Sequence, residues 1–157
     1  WKLTRGYETR PPWTLRDGVY SGVNSGVAYP QLFTDFIFEC DILFQGKGDG
    51  GIQLRGDANA ERGWEVGYEL DVDWAPDRKH GHLHFPVKPM PYRGEALFTV
   101  GKWHKVRVEA NGPRVLVHLD GKRVLQFEDS EYLSGQICLQ GEQDGVLYRN
   151  VRVTELE

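Results

Sequence analysis

The chain is poor in methionine and cysteine. It begins at Trp1, and Met90 is the single methionine among its 157 residues. We therefore expect a processed form or an excised piece, which leaves the location of the protein open. The two cysteines, Cys40 and Cys138, are too few for a disulfide framework, and neither has the neighbouring cysteine or histidine of a zinc site. We expect buried free thiols, with a single disulfide bridge as the alternative.

Clustered positive charge and long apolar segments are also missing. The net charge is −4 and the Lys and Arg residues are scattered, whereas nucleic-acid binders need a basic surface that releases counterions from phosphates. No stretch approaches the roughly 18 uncharged apolar residues of a membrane span. We therefore predict one domain, residues 1–157, that binds no nucleic acid and does not span a membrane.

Helical periodicity is absent, and strand periodicity takes its place. Apolar residues nowhere recur at helical spacing over a long stretch, so helices should be short or absent. Instead, segments such as Phe36–Phe44 and Val115–Leu119 alternate in polarity, which is typical of half-buried antiparallel strands. Turn sequences separate them, most clearly Asn111-Gly112 and Asp120-Gly121. The pattern predicts an all-β sandwich or jelly roll of two sheets.

Several predicted strands carry an unusual set of polar residues at alternate positions. Because successive side chains of a strand point to opposite faces, each segment would place these residues on the side away from its apolar ones. The set consists of Gln53, Arg55, Glu65, Glu69, Asp71, Asp73, His80, His82, His84, Gln136, Gln140 and Glu142. If the strands share a sheet, one face gathers an arginine, carboxylates, imidazoles and amides.

Such a face suits a polyhydroxylated ligand, because each hydroxyl group needs both a donor and an acceptor. We therefore predict a concave carbohydrate site. Contacts with the sugar would come from Gln53, Asp73, Trp74, His80, Gln140 and Glu142. Trp64 and Trp74 bracket the acidic strand and could stack on a sugar ring or cap the core. The alternative is a hydrated sheet surface whose carboxylates pair with Arg55 and Arg78.

The histidines allow acid–base or metal chemistry. Neutral imidazole accepts protons and binds divalent metals near neutral pH. Alternate residues of a strand lie about 6.5–7 Å apart, so His82 and His84 beside Asp71 or Glu69 could converge on one ion. Asp49, in a glycine-rich turn, makes calcium conceivable without a diagnostic spacing. A divalent metal is therefore the cofactor that the pattern allows, with exposed histidines as the alternative.

Short segments spread over most of the chain follow one another in a characteristic order. They are Trp13 to Val19, Asp35 to Glu39, Gly51 to Arg55, Gly67 to Glu69 with Asp73, Gly101 to His104, Gly135 to Gln140 and Tyr148 to Val151. Together they resemble the 3-keto-disaccharide hydrolase domain family, which is a concanavalin A-like jelly roll distantly related to family 16 glycoside hydrolases. The resemblance implies a jelly-roll fold, export to the periplasm or the extracellular space, and a groove containing Arg55, Glu69 and Asp73.

The chain also departs from the family pattern. The differences fall at Asp49 to Gly51 and at Asp71, His82, His84 and Glu142. The polar groups of the groove are thus distributed differently from those of the family.

The family resemblance implies cleavage of an oxidised, 3-keto glycoside. A ketone at C3 acidifies the C2 proton, so a base can remove it, a cation can stabilise the enolate, and an acid can protonate the departing glycosidic oxygen before water adds back. We predict His84 or Glu69 as the base and Arg55 as the enolate stabiliser. Asp71 or His82 would be the acid or a metal ligand.

Two other functions stay open. Retaining hydrolysis needs two carboxylates about 5–5.5 Å apart, and Glu69 and Asp71 come near that spacing. However, Trp74 stands where family 16 enzymes place the second glutamate. A non-catalytic carbohydrate-binding module is the other alternative, because the same fold hosts binding and hydrolysis.

Overall fold

Two antiparallel β-sheets form the fold seen in the computed structural model of the chain. The structure describes residues 1–3, 13–46, 49–60, 66–73, 82–84, 98–142 and 145–157, and the side chains of these residues except 3, 73 and 82–84. The strands are β1 (Lys2–Leu3), β2 (Thr14–Arg16), β3 (Val19–Ser21), β4 (Ser25–Ala28), β5 (Phe36–Phe44), β6 (Asp49–Gly56), β7 (Tyr68–Asp73), β8 (His82–His84), β9 (Trp103–Asn111), β10 (Arg114–Leu119), β11 (Lys122–Glu128), β12 (Gln136–Gly141) and β13 (Val146–Glu155).

The strands divide between a six-stranded and a seven-stranded sheet. Sheet A has the order β1-β4-β12-β6-β7-β8, and sheet B has the order β11-β10-β9-β5-β13-β3-β2. The predicted all-β class with two antiparallel sheets is therefore confirmed. No helix in the described part of the chain is long and apolar enough to cross a membrane.

Alternating burial along the strands builds the core between the sheets. Along β5 the side chains of Phe36, Phe38, Cys40, Ile42 and Phe44 are at most 1% exposed, and the residues between them are half-buried. From sheet A, apolar residues of β6, β7 and β12 pack against them. The hydrophobic effect thus fixes which side of each strand faces inward.

The predicted hairpins of sheet B follow their turn residues. The turn between β10 and β11 has φ of 49° at Asp120 and 79° at Gly121, which is the left-handed pair that a two-residue type I′ turn requires. Gly112, in the turn between β9 and β10, has φ of 52°. Asp120-Gly121 is therefore the turn that its sequence predicts, whereas Asn111 pairs with Arg114 at the end of β9 and the loop before β10 consists of Gly112 and Pro113.

Both cysteines are buried free thiols, as expected. Cys40 lies on the core side of β5, whereas Cys138 lies opposite Gln53 on the other side of sheet A. Burial raises the pKa of Cys40 well above its usual range and that of Cys138 to about 12. Both sulfurs are therefore unreactive thiols at neutral pH.

Candidate functional site

One side of sheet A faces the core, and the other carries polar side chains. We call the side that carries Gln53, Glu69, Asp71 and Gln140 the polar face. Two rows of directly opposed residues cross β12, β6, β7 and β8: Cys138, Gln53, Glu69 and His84 form one, and Gln140, Gly51, Asp71 and His82 form the other. The register therefore brings most of the predicted site residues together.

The polar face is buried. Gln53 is 1% exposed, Glu69 8%, Asp71 9% and Gln140 8%. The Gln53 amide donates a hydrogen bond of 2.7 Å to the carbonyl of Val66. The polar face is therefore not the hydrated sheet surface that was considered as the alternative. Burial removes water from these side chains and makes the charged form of each carboxyl group costly.

Glu69 shows the consequence most clearly. Burial, together with the neighbouring carboxylates of Asp49 and Glu142, raises the pKa of the Glu69 carboxyl group from 4.5 to about 8. Loss of hydration and repulsion between like charges both disfavour the ionised form. Glu69 therefore holds its proton at neutral pH and can donate it, which is typical of catalytic carboxyl groups.

Gly51 makes room for the Glu69 side chain. A Cβ atom at position 51 would lie 2.9 Å from Glu69 Oε1 and 2.9 Å from the carbonyl oxygen of Leu70. The Glu69 carboxyl group therefore bends over β6 at a point where the neighbouring strand has no side chain. Glycine at this position allows the acidic and amide groups of adjacent strands to approach each other.

Asp49 belongs to the same face, and sequence reasoning considered it only as a calcium ligand. It is the first residue of β6, its backbone position pairs with Asp73, and its carbonyl accepts a 2.8 Å hydrogen bond from the Glu142 amide. Asp49, Gly51 and Gln53 are alternate residues of β6, so their side chains point to the same face. This spacing could have identified Asp49 as a residue of the polar face from the sequence. Asp49 and Glu142 supply the negative charge next to Glu69.

Arg55 is not on the polar face, and the prediction that it points the same way as Gln53 is wrong. Its backbone has φ of 54°, and the pairing of β6 with β12 shifts register there. This β-bulge adds a residue and reverses the alternation. The Arg55 side chain, which is 1% exposed, lies instead on the core side of the sheet, with its guanidinium 6.0 Å from the centre of the Phe36 ring.

The guanidinium of Arg55 binds the backbone. It donates hydrogen bonds of 2.6 and 3.1 Å to the carbonyl of Thr34, 2.8 Å to that of Gly112 and 3.0 Å to that of Tyr132. Asp35 lies 3.4 Å away and also accepts a 2.7 Å bond from the Gly112 amide. Arg55 thus ties together loops from separate parts of the chain, and this arrangement does not place it next to Glu69.

The remaining predicted residues are only partly described. Asp73, His82 and His84 have backbone positions on the polar face, whereas Trp74 and His80 lie outside the described residues. Among the side chains that are described, no three metal-ligating groups come together. A divalent metal on Asp71 and the two histidines of β8 therefore stays a prediction.

Comparison with known proteins identifies the family. Residues 1–154 match the 3-keto-alpha-glucoside-1,2-lyase-like domain. The chain belongs to this family. The predicted resemblance is thus confirmed, and the protein is a member of a carbohydrate-active domain family.

Relatives extend the comparison. The chain is 24% identical to a levanase of Bacillus subtilis (strain 168) over 96% of its own length but only 24% of that enzyme. It therefore spans about a quarter of this curated relative. Among solved structures, the carbohydrate-binding module CBM66 from Bacillus subtilis is 22% identical with a TM-score of 0.71, covering 92% of this chain and 91% of the module.

A putative glycosyl hydrolase from Parabacteroides distasonis has the same architecture. It is 18% identical with a TM-score of 0.77 and covers 100% of this chain and 88% of its own. These similarities confirm the predicted jelly-roll fold.

Replacement of Arg55 tests its role between the sheets. We expect Arg55→Met to lower the free energy of unfolding by about 3 kcal/mol or more, because it leaves several carbonyl groups without their donor. Urea denaturation provides the measurement. Arg114→Met, at an exposed position of β10, is the matched control and should change stability by less than about 0.5 kcal/mol. Equal stability of the two variants would contradict this role.

The raised pKa of Glu69 predicts a specific dependence of stability on pH. Between the ordinary carboxyl pKa of 4.5 and about 8, the folded state holds a proton that the unfolded state has lost. Glu69 therefore stabilises the fold below about pH 4.5, and this contribution falls by at most roughly 1.4 kcal/mol per pH unit as the pH rises towards 8.

Glu69→Gln should remove that slope. The difference in unfolding free energy between wild type and variant, measured with urea at several pH values from about 5 to 8, should shift in favour of the variant as the pH rises. Glu128→Gln, on an exposed residue of β11, serves as the control and should follow the wild type. Parallel curves for wild type and Glu69→Gln would show that the pKa of Glu69 is not raised.

Proposed function

We propose that the chain cleaves 3-keto-glycosides on the polar face of sheet A, by proton abstraction and elimination followed by addition of water. The observation that carries this proposal is the buried carboxyl group of Glu69, whose pKa is raised to about 8 and whose backbone position lies directly opposite that of His84. Opposed residues of neighbouring strands have Cβ atoms about 4.5–5.5 Å apart. Two side chains that start this close together on one face can reach adjacent carbon atoms of one sugar ring, although the Glu69 carboxyl group itself leans towards Gly51 of β6.

The pKa of Glu69 favours one division of roles between the two residues. A carboxyl group that keeps its proton at neutral pH is suited to act as an acid, and a neutral imidazole is suited to act as a base. His84 would take the proton from C2, which the C3 ketone acidifies. The electron pair forms the enolate and then expels the C1 substituent, whose oxygen receives the proton of Glu69. Addition of water across the resulting C1–C2 double bond completes hydrolysis.

Arg55 takes no part in this scheme, because its guanidinium binds backbone carbonyls between the sheets. The side-chain amide of Gln140 and the carboxylate of Glu142 would bind sugar hydroxyl groups, whereas Gln53, predicted as a further contact, is 1% exposed and donates to the Val66 carbonyl. Asp71 and His82, opposed across β7 and β8, would hold a divalent metal if one is bound. Such a metal would supply the positive charge that stabilises an enolate.

Binding without turnover is the second candidate. The match to 91% of the CBM66 module, and to only about a quarter of the levanase, favours a separable carbohydrate-binding module. The same polar face would then hold the sugar, and the raised pKa of Glu69 would serve only to keep its carboxyl group neutral as a donor. Export of the protein stays a proposal that follows from the family resemblance.

An assay with a 3-keto-glycoside separates the two functions. We expect turnover by the wild type and a roughly 10²–10⁴-fold lower kcat for Glu69→Gln, with Glu128→Gln unchanged. The rate should fall as the pH rises above about 8, where Glu69 loses its proton. Parallel assays with a chelator test the metal.

Calorimetric titration with unoxidised glycosides completes the test. Binding without turnover of any 3-keto-glycoside would identify the module. Equal turnover by Glu69→Gln and wild type would overturn the role of Glu69.

A further inference from the structure

An aromatic cavity lies away from the polar face. It has a volume of about 290 Å³ and is lined by residues that include Trp1, Tyr20, Tyr29 and Phe33, together with Val151 and Val153 of β13. It therefore opens where the β1–β4 end of sheet A meets strands β3 and β13 of sheet B. None of the described residues of the polar face contributes to its lining.

The rings surround the cavity at steep angles. The ring centres of Trp1 and Tyr29 are 5.6 Å apart at an interplanar angle of 71°, and those of Trp1 and Tyr20 are 6.4 Å apart at 60°. Trp1 and Tyr29 are each 39% exposed, whereas Phe33 is 4% exposed. The cavity thus presents accessible aromatic faces above a buried apolar base.

Polar groups complete the wall. The Gln31 amide donates a 2.8 Å hydrogen bond to Glu155 Oε1, and Arg152 is held by Glu39. An amide and a carboxylate in this arrangement have further oxygen atoms that can accept hydrogen bonds from a ligand. The wall therefore combines aromatic surface with fixed hydrogen-bonding groups, which is the usual composition of a small-molecule site.

The backbone under the cavity is fixed at both ends. The amide of Tyr29 donates a 2.9 Å bond to the carbonyl of Ile137, and that of Phe33 donates a 2.9 Å bond to the carbonyl of Gly135. The segment that carries Tyr29, Gln31 and Phe33 is thus anchored at two points to the beginning of β12 and the residue before it. Groups held in this way lose little entropy when a ligand binds.

We propose that this cavity is a second carbohydrate site that holds one neutral sugar ring. A sugar ring has apolar C–H faces, which fit the rings of Trp1 and Tyr29, and hydroxyl groups at its edge, which fit Gln31, Glu155 and Arg152. The volume of about 290 Å³ suits a single ring rather than an extended oligosaccharide. The site is independent of turnover at Glu69 and would hold the end or branch of a longer substrate.

Titration of the intact chain with methyl pyranosides and methyl furanosides, followed by backbone amide NMR shifts, tests the proposal. At least one sugar should shift the backbone amides of Tyr29, Gln31, Leu32 and Phe33 in a saturable manner. Tyr29→Ala should weaken that binding by roughly 3- to 10-fold or more, whereas Tyr29→Phe, which keeps the ring, should bind like the wild type. Leu32→Ala, at a 65% exposed neighbour outside the lining, is the matched control.

The two sites are distinguishable. Glu69→Gln should lower turnover roughly 10²–10⁴-fold and leave the shifts at residues 29–33 unchanged, while Tyr29→Ala should leave turnover of a small 3-keto-glycoside unchanged. If Tyr29→Ala fails to fold, Gln31→Ala tests the same wall and should also weaken binding. Absence of saturable shifts at residues 29–33 with every sugar, or equal affinity in wild type and Tyr29→Ala, would overturn the proposal.

Discussion

The guanidinium of Arg55 lies between the two sheets, where it donates hydrogen bonds to carbonyl groups of Thr34, Gly112 and Tyr132. A single side chain with several fixed donors thereby satisfies loops that would otherwise bury unpaired carbonyl groups. The bulge that turns Arg55 inward has a second effect. Without it, the guanidinium would lie on the polar face, two residues beyond Gln53 along β6. Among the described residues, the charged neighbours that raise the pKa of Glu69 are the carboxylates of Asp49 and Glu142.

This arrangement explains the raised pKa of Glu69. Burial of the polar face opposes ionisation, and the carboxylates of Asp49 and Glu142 oppose it further. A guanidinium at the position expected for Arg55 would have favoured the ionised form instead. The same backbone irregularity thus closes one end of the sandwich and supports an acid on the outer side of sheet A.

Alternation and turn chemistry predicted much of the fold. The pattern of β5 and the Asp-Gly turn at Asp120 identified strands and register, because burial on one face and left-handed turn residues leave direct traces in the sequence. The same parity brought Gln53, Glu69 and Gln140 to one face. The pairing of β7 with β8 then placed the positions of His82 and His84 beside the acidic strand.

Other features left no such trace. Arg55 occupies a left-handed backbone conformation that non-glycine residues rarely adopt, so nothing in the local sequence announced the bulge. Asp49 looked like part of a glycine-rich turn, although its parity fitted the polar face. Burial of that face also escaped prediction, because alternation shows which side a residue takes but not whether that side is covered. The raised pKa of Glu69 depends on this burial.

The central claim is that Glu69 is a neutral acid at physiological pH. Carbon-13 NMR titration of the glutamate side-chain carboxyl groups tests it directly, with the Glu69 signal assigned by its loss in Glu69→Gln. The account predicts a midpoint near the value of about 8 that the structure gives. A midpoint near the ordinary carboxyl value of 4.5 would contradict it.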